Sequence, residues 1–196
     1  MRKIFITFLF FFLIANSFAN ENYQLTDITE GNENAKIKIY SYQSLTCPHC
    51  ATFHSKVYPQ IKKDYIDTGI VRIYFKPFPL DLAALNAAKI AQCVEKKKRI
   101  LFLDHLYETQ QSWTKGEKIE DINKNLKKLV EEFGINEKDF NKCLTLEDIE
   151  DFILTSRIEA VKKFKIKSTP TIVINDMVYE GTLEYKNIRK LIEKFI

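Results

Sequence analysis

Residues 42–50 read Tyr-Gln-Ser-Leu-Thr-Cys-Pro-His-Cys and close on two thiols three positions apart, Cys47 and Cys50. Such a pair can hold a disulfide and pass it on, and the two residues between tune how readily it does so. Three other uses of C-x-x-C compete with redox chemistry. Covalent haem attachment needs His directly after the second Cys, and residue 51 is Ala. A zinc site needs further ligands, yet only His49 and His54 are near in sequence, and Cys93 and Cys143 lie far away. A purely structural bridge remains the third alternative. The spacing and the missing ligands favour a redox pair with no bound metal.

The flanking sequence places that pair. Lys36-Ile37-Lys38-Ile39-Tyr40-Ser41-Tyr42 alternates with period two and is rich in β-branched and aromatic residues, which predicts a strand. Phe53, Val57, Ile61 and Tyr65 recur every four residues over Ala51 to Tyr65, which predicts one helix. Cys47 therefore stands where a strand ends and a helix begins. The free N–H groups and the macrodipole there favour negative charge, so a thiolate at Cys47 is stabilised. His49 would add to this, and a stabilised thiolate makes the disulfide a stronger oxidant.

Farther on, Ile70 to Phe78 reads as a second strand ended by Pro77 and Pro79. From Asp81 to Lys165 the pattern is helical. Asp81 is placed to cap Leu82 to Lys98. Further helices are expected over Ile100–Gln111, Asp121–Phe133 (stopped by Gly134), Glu137–Leu144 and Glu147–Phe164. Strands return at Thr171–Ile174 and Met177–Gly181 around an Asn175-Asp176 turn, and an amphipathic helix runs from Tyr185 to Ile196. The order is strand, helix, strand, helical block, strand, strand, helix.

The N-terminus suggests a compartment. Arg2 and Lys3 precede an apolar run from Ile4 to Ala15, followed by Ser17-Phe18-Ala19. This is the layout of a secretory signal peptide over residues 1–19, cleaved after Ala19, and the run is short for a membrane span. Loss of Arg2 and Lys3 would take the formal net charge from +4 to about +2, too balanced to argue for nucleic-acid binding. Residues 20–196 suffice for one domain with a sizeable core.

These features together resemble the thioredoxin fold, and more narrowly the DsbA family of bacterial thiol–disulfide oxidoreductases, over about residues 30–196. The carriers are residues 42–50, the helical block, and Ser168-Thr169-Pro170-Thr171 before the third predicted strand. The resemblance implies an α/β, thioredoxin-like fold with an all-helical insertion at about 81–165, between the second and third predicted strands. It implies that Cys47 is the nucleophilic, more exposed sulfur and Cys50 the buried resolving one, with Pro48 and His49 tuning the pair. Pro170 would be a cis-proline facing the thiols, and Thr169 would offer its backbone to a substrate strand. The implied activity is periplasmic disulfide donation to reduced, unfolded secreted proteins, by a monomer without cofactor. The implied partner is a DsbB-type membrane reoxidase. An isomerase or reductase of the same fold, and a non-enzymatic surface protein or chaperone, are the alternatives.

The sequence departs from the family pattern at two places. Many thioredoxin-like proteins carry a buried acid where this chain has Ser41, so Lys76 becomes either a candidate for tuning the site or a solvated lysine. Thr169 stands where the best-known oxidase has Val, a difference that leans toward isomerase-like relatives. Cys93 and Cys143, in an oxidising compartment, are expected to form a structural disulfide, the other readings being two buried free thiols or a second redox centre. Lys162, Lys163, Lys165 and Lys167 read as a solvated helix end or a basic collar. His54 reads as a packing or surface residue, His105 as a core-edge histidine, and Tyr107 and Trp113 as filling for the insertion.

Overall fold

The computed structural model describes residues 25–196. The leader expected over residues 1–19 lies outside them. Among the described residues, no helix is long and apolar enough to cross a membrane.

β2 (Ile37–Gln43) forms where the period-two pattern predicts it, and Ile37, Ile39 and Ser41 point into the core while Lys38 is exposed. The chain then enters α1 (Pro48–Lys56), with Pro48 at a first-turn position that needs no N–H donor. The single helix expected over Ala51–Tyr65 is in fact three pieces. α1 ends at Lys56, α2 covers Tyr58–Ile61, and a π-helical turn covers Lys62–Ile66. Pro59 lacks the N–H that would continue the α1 ladder, and the break follows from that. The apolar stripe survives, because Phe53, Val57, Ile61 and Tyr65 are all buried.

β3 (Val71–Pro77) returns parallel to β2, with Ile37 opposite Val71 and Ile39 opposite Ile73. This β–α–β unit sets Cys47 at the C-terminal end of β2. β4 (Thr171–Ile174) lies antiparallel on the other side of β2, with Ser41 opposite Ile172, and β5 (Met177–Val178) pairs with β4. The joining turn uses Asn175 and Asp176 at φ 45° and 68°, the positive values a two-residue hairpin demands. Strand β5 stops at Val178, earlier than the pattern suggested. A strand with no counterpart in the sequence pattern, β1 (Ile28–Glu30), pairs antiparallel with β3. The sheet order is β1-β3-β2-β4-β5.

Six helices fill the span between β3 and β4, the second and third strands expected from sequence: α3 (Leu82–Cys93), α4 (Arg99–Glu108), α5 (Gln110–Trp113), α6 (Ile119–Glu131), α7 (Glu137–Thr145) and α8 (Glu147–Phe164). α3 is shorter than expected and gives way to a 3₁₀ turn at Lys96–Lys98. Asp81 caps it through Oδ1, which accepts from the Ala84 N–H at 2.8 Å. Its small face (Ala84, Ala87, Ala91) lets neighbouring helices approach, and Phe102, Leu106, Leu126, Val130 and Ile149 pack into one core continuous with the sheet. Cys93 on α3 is bonded to Cys143 on α7, with an S–S distance of 1.99 Å. On the opposite side of the sheet Tyr42, Phe78, Val173, Ala160 and Ile166 form a smaller cluster under α8. α9 (Tyr185–Ile192) closes the sheet with Ile188 and Ile192 fully buried.

Candidate active site

Cys47 is the N-cap residue of α1, in extended backbone conformation. Its side chain does not cap the helix. Instead its thiol donates to the Thr169 carbonyl, with the sulfur 3.4 Å from the oxygen. The Thr169–Pro170 peptide is cis and brings that carbonyl against the first turn of α1. Cys47 and Cys50 are both unbonded thiols. Both are buried, Cys47 at 7% exposure and Cys50 at 0%, so Cys47 is the more accessible by a narrow margin. Pro48 and His49 between them are exposed. The fold thus brings together the two cysteines, the residues between them, and the Thr169–Pro170 loop from far downstream in the chain.

Burial pushes the Cys50 thiol up to about 12, since a thiolate there would lose its water; the Ser44 N–H and the Thr169 hydroxyl act against this, favouring the charged form. The Thr169 hydroxyl is itself buried and has no hydrogen-bond partner at ordinary geometry. Thr169 thus meets Cys47 through its carbonyl, while its hydroxyl lies near Cys50 without bonding it. Tyr107 is buried near the pair, and its phenol is pushed well up, first by burial and then by the negative charge of either thiolate. It packs from α4 into the main core, the filling role its sequence suggests.

The loop leading into α1 is fixed by groups the sequence did not mark. Gln110 of α5 is buried, and its Nε2 donates to the Leu45 carbonyl at 2.8 Å and the Cys47 carbonyl at 3.1 Å. The Cys47 carbonyl also accepts from the N–H groups of Cys50 and Ala51. Thr46 donates to Asp81 Oδ2 at 2.6 Å, so one carboxylate holds both the α3 N-terminus and the residue before Cys47. A polar residue near a helix end would have been the only sequence signal for either contact.

Ser41 is fully buried and accepts from the Gln43 amide at 2.6 Å, so no ionisable group stands at that position. Lys76 is turned to Asp27 at 2.6 Å, and its charge is engaged there rather than on the thiols. Among the lysines before the proline loop, Lys163 pairs with Asp176 and Lys165 donates to the Lys162 carbonyl, a helix C-terminus satisfied locally. Trp113 is buried, its indole N–H donating to the Leu106 carbonyl. His105 is partly exposed against Phe133. His54 is buried and packs between Tyr58 and Tyr107.

A two-thiol site at the start of a helix, faced by a cis-proline loop and backed by a helical insertion, defines a thioredoxin-fold protein. A family model described as Thioredoxin matches residues 23–194. Wolbachia pipientis alpha-DsbA1 superposes with a TM-score of 0.79 at 30% identity, covering 87% of this chain and 90% of that one. BdbD from Bacillus subtilis superposes with a TM-score of 0.76 at 25% identity, covering 86% of this chain and 92% of that one. A Rickettsia bellii protein, provisionally named a protein-disulfide oxidoreductase, is 28% identical over 156 residues, 79% of this chain and 59% of its own. The chain spans about three fifths of the length of the Rickettsia relatives it matches. The chain belongs to the thioredoxin family, in its DsbA branch.

Proposed function

We propose that this protein is a thiol:disulfide oxidoreductase acting as a net oxidase, which donates a Cys47–Cys50 disulfide to reduced proteins. The observation that carries the reading is the placement of Cys47. It sits at a helix N-terminus, directly against the Thr169 carbonyl, above a fully buried Cys50. A substrate thiolate attacks Cys47 Sγ in the oxidised enzyme. The Cys47–Cys50 bond breaks and Cys50 leaves with the electron pair, so a mixed disulfide forms on Cys47. A second substrate thiolate attacks the substrate sulfur of that bond, and Cys47 leaves as a thiolate. The N–H groups of α1 favour the negative charge on this leaving group. The Thr169 backbone beside Cys47 would pair with the substrate strand and hold its sulfur in line.

The proposed setting is the periplasm, reached through the leader at residues 1–19. The proposed substrates are reduced, unfolded secreted proteins, and reoxidation is assigned to a DsbB-type membrane partner. The protein would act as a monomer. Catalysis separates this reading from its alternative. The oxidised protein should quickly introduce disulfides into a reduced, unfolded substrate, and its reduced form should unscramble a mispaired substrate slowly. Fast unscrambling with slow oxidation would make an isomerase of it, a reading that the Thr169 hydroxyl near Cys50 favours. A Cys47→Ser, Cys50→Ser variant that kept its cellular role would make it a chaperone.

A further inference from the structure

The residues that lead into the first thiol are tied to the helical block one after another. Leu45 and Cys47 each accept through the backbone carbonyl from Gln110, and Thr46 between them donates to Asp81. Gln110 therefore makes two of these three ties with one side-chain nitrogen. An amide NH₂ carries two N–H groups that diverge in one plane. A single such group on both carbonyls, at 2.8 and 3.1 Å, fixes the spacing between them. The donor is itself anchored. Gln110 is buried, and its own carbonyl accepts from the Thr114 hydroxyl at 2.7 Å. Three residues on, Trp113 is buried and bonds back to the Leu106 carbonyl.

The Cys47 carbonyl carries a further load. It also accepts from the Cys50 N–H at 3.0 Å and the Ala51 N–H at 3.2 Å, the bonds that open α1. A carbonyl oxygen has two lone pairs, so three N–H groups share them here. Gln110 thus helps to set the direction of the carbonyl from which α1 departs. The charge consequence falls on the sulfur of the same residue. The Cys47 carbonyl oxygen is the negative end of a dipole and opposes a thiolate on Cys47. The N–H groups that bond it offset that charge. Without Gln110 the oxygen is less neutralised and the carbonyl is freer to turn. Both changes disfavour a thiolate, whereas the disulfide carries no charge and feels them less.

We propose that Gln110 is a positioning residue for Cys47, which favours the reduced pair over the disulfide and so makes the helical block a determinant of oxidising strength. The inference deepens the exchange chemistry assigned to Cys47 and Cys50 and rests on it. A stabilised Cys47 thiolate is the better leaving group, and a pair with a stabilised reduced form is the stronger oxidant.

Equilibration with glutathione tests this. One protein disulfide and two glutathione thiols give the protein dithiol and one glutathione disulfide, so the equilibrium reads the difference between the two forms. Gln110→Leu removes both donors at similar volume. Its equilibrium should move by about tenfold toward the protein disulfide, about the net worth of one hydrogen bond. Gln110→Asn, which keeps the amide on a shorter arm, should move it less. A residue with a packing role alone would weaken both redox forms equally and leave the equilibrium in place. A shift in Gln110→Leu of less than about threefold, or any shift toward the dithiol, would therefore overturn the inference. If Gln110→Leu does not fold, hydrogen exchange of the Gln110 side-chain amide in the native protein decides the matter. Exchange should be slower in the reduced form than in the oxidised form. Equal rates, or slower exchange in the oxidised form, would overturn the inference. A parent poised as a reductant would count against the assigned oxidase activity, while the comparison of parent with variant would still decide the part played by Gln110.

Discussion

At the scale of single residues, the two thiols were legible and their surroundings were not. C-x-x-C at a strand-to-helix junction is a local pattern, so Cys47, Pro48, His49 and Cys50 could be named from spacing. Gln110 could not, because nothing local distinguishes a glutamine that bonds two carbonyls 63 and 65 residues away from one facing water. Gln110→Ala should cost about 1–3 kcal/mol, since it strips a buried donor from the Leu45 and Cys47 carbonyls. Denaturant unfolding of the oxidised and reduced forms would measure it, and a change under half a kcal/mol would show that the loop holds itself. Cys50 supplies a pH prediction. A thiol whose pKa in the fold is raised to about 12 binds its proton more tightly folded than unfolded. The folded chain therefore holds the extra proton above the free-thiol range, so stability falls as pH climbs from about 8.5. Reduced protein should lose stability over that window relative to Cys50→Ala. Parallel curves would contradict the burial effect.

At the scale of elements, periodicity carried most helices and strands, and tertiary pairing supplied the rest. β1 has only three residues and owes its existence to the exposed side of β3, so no pattern within Ile28–Glu30 announces it. The break after α1 was written in Pro59, but the unbroken apolar stripe masked it. The capping role of Asp81 was legible, whereas its second bond, to Thr46, depends on the loop arriving beside it. Asp81→Ala should destabilise by about 0.5–2 kcal/mol as a lost cap, and should also change the rate at which Cys47 reacts. Kinetics identical to the parent would confine Asp81 to capping. The Cys93–Cys143 bond spans a sequence separation of 50 and ties α3 to α7. Chain entropy gives it about 4 kcal/mol of stabilisation. Cys93→Ser with Cys143→Ser should therefore melt earlier while still oxidising a reduced substrate. A folded double variant without activity would give that bond a catalytic part.

At the scale of the whole molecule, the sheet and the helical block act as one body. Their shared core places α4 and α5 behind the thiols, so Gln110 holds the site and Tyr107 lies near it from outside the thioredoxin-fold elements. The architecture leaves one sulfur wholly buried and the other barely accessible. Chemistry is confined to one edge, where Pro48, His49 and the Thr169–Pro170 loop meet solvent. The central claim is that this arrangement makes the pair a donor of disulfides. Its most direct test is the reduction potential of the Cys47–Cys50 pair, measured by equilibrating the protein in defined glutathione buffers. A net oxidase should poise between about −180 and −120 mV, the range from protein disulfide isomerase to a strong oxidant. A value of about −270 mV, that of thioredoxin, would contradict it and make the protein a reductant.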